Sequence, residues 1–168
     1  MKSLLAICLV LSLGFMMTSC GETEEEFKSD DVKVLNTITF ETISKDVMGN
    51  PIMITEETLV AVQSQEALDR LWNAPTALLE RPSAPEIDFE NYILLVAASG
   101  ERPSSGYTIE IETVEELEDV IRVVVRNSEP GEGCMNLTVI TTPHHIVKIE
   151  RPSKNIVFNV SNRTNHCT

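Results

Sequence analysis

The sequence predicts an α+β fold, mostly antiparallel β, built as a sheet or a partly open barrel with one clear packed helix. Three observations carry this prediction. Eight short runs rich in Val, Ile and Thr recur along the chain, and several alternate apolar with polar side chains, the two-residue period of a half-buried strand. Aromatic residues make up only 5% of the chain, so its core must rest on Val, Ile and Leu. One segment alone shows clear helical spacing, with Leu68, Leu71 and Trp72 at i, i+3 and i+4. The length of 168 residues suits about one domain.

Residues 1–19 read as a signal peptide. Lys2 carries a positive charge, and residues 4–17 are apolar apart from Ser12 and Gly14. That run is shorter than the roughly 20 residues of a spanning helix. Thr18-Ser19-Cys20-Gly21 resembles a bacterial lipobox, with Met17 where Leu is usual. Cys20 is therefore expected to be lipidated and to anchor the chain in a membrane. An ordinary cleaved signal with an incidental cysteine is the alternative. Residues 20–31 form the lipid anchor and an acidic tether, with Glu22, Glu24, Glu25, Glu26, Asp30 and Asp31. An acidic tract after such a cysteine also resembles a surface-export signal of bacterial lipoproteins. The expected location is the bacterial cell envelope, at the outer membrane on its periplasmic or surface face.

Residues 32–161 read as a single β-rich domain and 162–168 as a polar tail. Residues 32–43 form the first expected strand. A turn at 46–51, with Gly49, Asn50 and Pro51, leads to a second at 52–62 as its hairpin partner. Ser64 caps a helix from Gln65, with Glu66 and Asp69 early and Arg70 late, as the helix dipole favours. Trp72 is read as a core residue rather than a ligand platform. Three prolines, Pro75, Pro82 and Pro85, mark residues 73–88 as a long connection with a short helical turn at 76–80. Residues 92–98 are apolar on both faces, as in a central strand covered on both sides. Further strands are expected at 107–113, 121–126, 136–142, 146–150 and 155–160.

Two glycine turns stand out. Gly100-Glu101-Arg102-Pro103-Ser104-Ser105-Gly106-Tyr107 joins two strands, and Glu129-Pro130-Gly131-Glu132-Gly133-Cys134 follows the next. Proline and glycine stiffen such turns, while Arg and Tyr are enriched at binding surfaces. Arg102, Pro103, Ser104, Ser105, Gly106, Tyr107, Pro130, Gly131, Gly133, Pro143 and His145 are the candidate partner-binding residues.

Other chemistry is less well supported. A net charge of -13 disfavours nucleic acid as a partner. His144 and His145 are adjacent, so on a strand they point to opposite faces and do not share a metal ion. Ser104 or Ser105 with His145 lacks the GxSxG elbow of a hydrolase, and no GxxxxGK phosphate loop is present. No catalytic residue and no cofactor are assigned. In an exported, oxidising setting Cys134 and Cys167 either form a disulfide or remain two thiols. Closing that loop is worth about 3.8 kcal/mol in the chain-entropy model.

The blocks Arg102-Pro103-Ser104-Ser105-Gly106-Tyr107, Glu129-Pro130-Gly131-Glu132-Gly133-Cys134-Met135 and Thr142-Pro143-His144-His145-Ile146-Val147 resemble, in order and spacing, the C-terminal domain of protease complex subunit PrcB. Ser64-Gln65-Glu66-Ala67-Leu68 with Trp72 resembles the helix before them, so the resemblance spans about residues 60–158. Ser105 stands where family members often have Gly, and His144 where they have Tyr. The resemblance implies a noncatalytic lipoprotein that binds another protein, as an accessory subunit supporting a secreted or surface protease. A protease inhibitor presenting a rigid loop and a small-ligand carrier are the alternatives.

Overall fold

The computed structural model describes residues 33–48, 52, 54–72 and 83–167, all within one compact unit. Cys20, residues 1–31 and the expected helical turn at 76–80 lie outside the described residues. The elements are β1 (Asn36–Ile38), β2 (Glu41–Asp46), β3 (Glu57–Val62), α1 (Gln65–Trp72), β4 (Tyr92–Ser99), β5 (Thr108–Glu116), β6 (Val120–Pro130), β7 (His144–Glu150) and β8 (Asn155–Asn165). They form two four-stranded sheets, ordered β1-β5-β6-β8 and β2-β7-β4-β3, so the fold is α+β and a sandwich rather than a barrel. All pairings are antiparallel except β6 with β8.

β4 explains the layering. Ile93, Leu95 and Ala97 face the space between the sheets, where they meet Ile109, Ile111, Val123, Val125 and Val147. Leu94, Val96 and Ala98 face the other way and pack with Leu68 and Trp72 of α1. A strand apolar on both faces thus bridges two cores, and each buried side chain of this kind contributes roughly 1.5–3 kcal/mol. Ser64 caps the helix: its carbonyl accepts from the Leu68 N–H at 3.1 Å and its Oγ from the Ala67 N–H at 3.3 Å. The Gln65 side chain then ties the incoming connection down, donating to the Pro85 carbonyl and accepting from the Ile87 N–H.

Four expectations are corrected. Residues 32–43 are not one strand: the chain passes from β1, paired with β5, to β2, paired with β7 in the other sheet. Ile38 and Phe40 pack into the core between the sheets and Ile43 into the helix-side core, so the alternation changes core there. The second strand is not the hairpin partner of the first. β3 pairs with β4, because Ile52 and Ile54 are spent on the helix-side core before the ladder begins. Residues 136–142 form no strand, and only Thr141 makes a bridge, to Arg102. The polar stretch at 162–165 is not a tail. β8 runs to Asn165 opposite Pro130, held by the ladder of β6, and polar side chains suit an edge strand exposed on its outer side.

Candidate functional site

The two glycine turns meet at one end of the sandwich. The β4–β5 turn is stitched by backbone bonds: Arg102 and Thr141 exchange N–H···O bonds at 2.8 and 3.0 Å, and the Ser105 N–H donates to the Leu137 carbonyl at 3.0 Å. Ser105 Oγ accepts from the Leu137 N–H at 2.9 Å, and Thr141 Oγ1 donates to the Ser104 carbonyl at 3.1 Å. Gly106 has φ +94°, and a Cβ there would sit 2.5 Å from Asn136 Oδ1 and 3.1 Å from Pro130 Cβ, so the two turns touch where only glycine fits. The Gly131 N–H donates to the Asn165 carbonyl at 2.8 Å, which leaves no room for a side chain at that glycine. Cys134 and Cys167 form a disulfide beside this contact, with Cα atoms 5.0 Å apart. The second turn is thereby fixed to the end of β8.

Most of the sequence-predicted residues gather here: Arg102, Pro103, Ser104, Ser105, Gly106, Tyr107, Pro130, Gly131 and Gly133 lie on these two turns, all partly or fully exposed. Pro143 and His145 do not belong with them. Both are buried, His145 with 2% of its surface exposed. β1 covers only residues 114–116 of β5, and beyond its end the Ile111 N–H donates to His145 Nδ1 at 3.0 Å. The other ring nitrogen, Nε2, lies 3.0 Å from Thr42 Oγ1. An Nδ1 that accepts a backbone N–H requires a neutral ring. Burial, and after it the charge of Lys45, depresses the His145 pKa to about 4, consistent with that assignment. His144 is buried too, against Ser44 Oγ at 2.8 Å, and burial lowers its pKa. The histidine pair is structural mortar between β7, β2 and β5.

Two groups of residues at the site were not among the candidate partner-binding residues, although Glu129 and Met135 border the second turn. Met135 is fully exposed, Leu137 is 73% and Ile140 60% exposed, along the segment laid against the first turn. Leu137 and Ile140 fall in the segment 136–142 that was expected to be a strand. The second group is Asn127, Glu129, Asn162 and Arg163, which with Arg102 and Tyr107 line an open hollow of about 370 Å³. The Arg102 guanidinium carbon lies 5.7 Å from the Tyr107 ring centroid, over its face. Arg163 was read as part of a tail, so nothing in the sequence linked it to the turn.

A slightly larger hollow of about 400 Å³ opens at 36–39 and 150–154. Its cations are engaged: Lys154 bonds Glu116 and the Leu117 carbonyl, and Arg151 bonds the Phe89 carbonyl and Gln63. Among the described residues no three His, Cys, Asp or Glu side chains gather as metal ligands, and no helix is long and apolar enough to cross a membrane.

Residues 93–150 match the PrcB C-terminal family. The matched segment runs from β4 to the end of β7, so it holds both glycine turns and the histidine corner. It is narrower than the resemblance read from the sequence, omitting α1 and β8. No curated protein and no solved structure matches the chain.

Proposed function

We propose that this protein is a lipid-anchored cell-envelope module that binds another protein and catalyses no reaction itself. The observation that carries the reading is the apolar strip Met135, Leu137 and Ile140, held out into solvent on a braced segment beside the Gly100–Tyr107 turn. Contiguous exposed apolar surface marks protein-interaction sites, and three exposed apolar side chains within residues 135–140 supply a candidate for one. The backbone bonds to Ser105 and Arg102 and the disulfide at Cys134 fix the segment beforehand, so little entropy is lost on docking. The family match favours a secreted or surface protease as the partner, with this chain as its accessory subunit. The lipobox-like Cys20 would supply the anchor at the outer membrane.

A crosslinking pull-down from intact membranes, with the lipidated chain as bait, tests this. Enrichment of a protease or its precursor, reduced by Leu137→Asp or Tyr107→Ala, is the expected result. Enrichment of a different protein keeps the binding module and removes the protease assignment. Recovery of the bait alone, under conditions that capture a known envelope complex, counts against the module.

A further inference from the structure

We propose that the hollow between Arg102 and Arg163 is a carboxylate subsite, which takes an acidic side chain or the C-terminal carboxylate of the protein partner. The proposal rests on the protein-binding reading above and names the chemistry of what is bound.

The arginines show why. Among the described residues Arg70, Arg122 and Arg126 each pair with a glutamate, and Arg151 spends its guanidinium on a carbonyl and Gln63. Arg102 and Arg163 have no such acceptor, and both line the same hollow. Arg102 Nε is buried with no hydrogen-bond partner, so only the terminal guanidinium N–H groups are left to meet an acceptor in the hollow. In a chain with 26 acidic and 13 basic residues, two arginines that form no ion pair run against the composition. The Arg102 guanidinium lies over the Tyr107 ring, an attraction that does not use up its N–H groups; a planar carboxylate fits the fork of the two terminal nitrogens. Asn127 accepts from Ser99 Oγ and donates to Asn162 Oδ1, which orients the Asn162 amide and leaves its nitrogen as a further donor to the hollow.

Glu129 is the one acid in the lining, held by the Thr164 hydroxyl at 3.2 Å. It opposes a bound anion and so supplies a test with a sign. The apolar strip argues for a polypeptide rather than a free ion. The backbone pair of Arg102 with Thr141 joins the arginine's turn to the segment that carries Leu137 and Ile140, so the hollow and the exposed apolar side chains belong to the same end of the sandwich. A small hydrated anion gains nothing from them.

The test is an NMR titration of the ¹⁵N-labelled full chain in detergent micelles, following the Nε–H resonances of Arg102 and Arg163. The probes are the blocked dipeptides acetyl-Leu-Glu-amide and acetyl-Leu-Gln-amide, and inorganic phosphate. The glutamate dipeptide is expected to shift both resonances and the glutamine dipeptide neither. Replacing both arginines by Gln is expected to weaken the glutamate dipeptide about tenfold, as loss of charge-assisted bonds does. Glu129→Gln is expected to tighten it, an outcome that misfolding cannot imitate. Equal shifts from the two dipeptides, tighter binding of phosphate than of the glutamate dipeptide, or weaker binding in Glu129→Gln would each overturn the subsite. In the pull-down, a partner captured equally by wild type and by the double Arg→Gln variant overturns the subsite alone. A bound dipeptide with no captured partner supports the subsite and counts against the module.

Discussion

Residues 134–140 and β7 (His144–Glu150) are near neighbours in the chain and opposites in the fold. In β7 every residue from His144 to Val147 is buried and both histidine rings meet hydroxyl partners from β2. In 134–140 the apolar side chains of Met135, Leu137 and Ile140 stand in solvent, while the backbone is held by Ser105 and by the disulfide. The contrast separates two uses of rigidity. One region is rigid because its side chains are packed, the other because its backbone is bonded while its side chains stay available. Changes in β7 are therefore expected to cost stability, and changes in 134–140 to cost binding.

The largest effect on stability is expected from His145→Ala. It orphans the Ile111 N–H, removes the Thr42 partner and opens a cavity between the sheets, a loss of about 3–5 kcal/mol by urea unfolding. A loss below about 0.5 kcal/mol would mean that the histidine is not what joins the sheets there.

Acid comes next. His145 titrates near 4 in the fold against an ordinary value of 6.5, so between those values the unfolded chain binds the proton and the folded chain does not. Stability attributable to this ring is complete above about pH 6.5, falls as pH is lowered to about 4, and is level below that, a total on the order of 3 kcal/mol. The lowered pKa of His144 adds in the same direction. The expected check is that His145→Asn flattens the stability profile within this window; an unchanged slope would remove His145 as its source.

Removing the disulfide with Cys134→Ser and Cys167→Ser is expected to cost about 2–3 kcal/mol, less than the chain-entropy figure because the β6–β8 ladder and the Gly131–Asn165 bond still hold the strand end. Thermal unfolding with and without a dithiol reads it, and coincident curves would show that the ladder alone suffices. The smallest expected change in stability, within about 0.5 kcal/mol, comes from Leu137→Asp. The same variant is expected to weaken partner capture about tenfold, as loss of an interface anchor does. Unfolding by Leu137→Asp would place that side chain with β7 and dissolve the contrast.

Much of this was legible locally. Residues 92–98 announced a doubly covered strand because both faces were apolar, and β4 is one. The stripe Leu68, Leu71 and Trp72 with Ser64 in front announced α1. The turn chemistry at Gly106 and Gly131 announced tight loops, and the structure shows a positive φ with close Asn136 and Pro130 side chains at the first and a close backbone carbonyl at the second. His145 was misjudged because a histidine beside a proline corner reads as polar; its burial depends on a backbone N–H from β5, 34 residues away. The strand expected at 136–142 failed for a related reason. Apolar residues such as Leu137 and Ile140 suggest an extended, buried segment, and here no second layer arrives to cover them.

Local sequence sets which segments extend, which one coils and where the backbone must turn, because dihedral preference, side-chain period and the absence of a Cβ act over a few residues. Tertiary structure alone decided the partners. β1 and β2 entered different sheets, β3 joined β4, and β8 lay parallel to β6, which set Asn162 opposite Asn127 and Arg163 opposite Ser128. Pairing of distant strands is settled by burying both faces of β4 at once, a condition on the whole domain that no local pattern encodes. The meeting of Arg102 with Arg163, on which the carboxylate subsite depends, is a product of that condition.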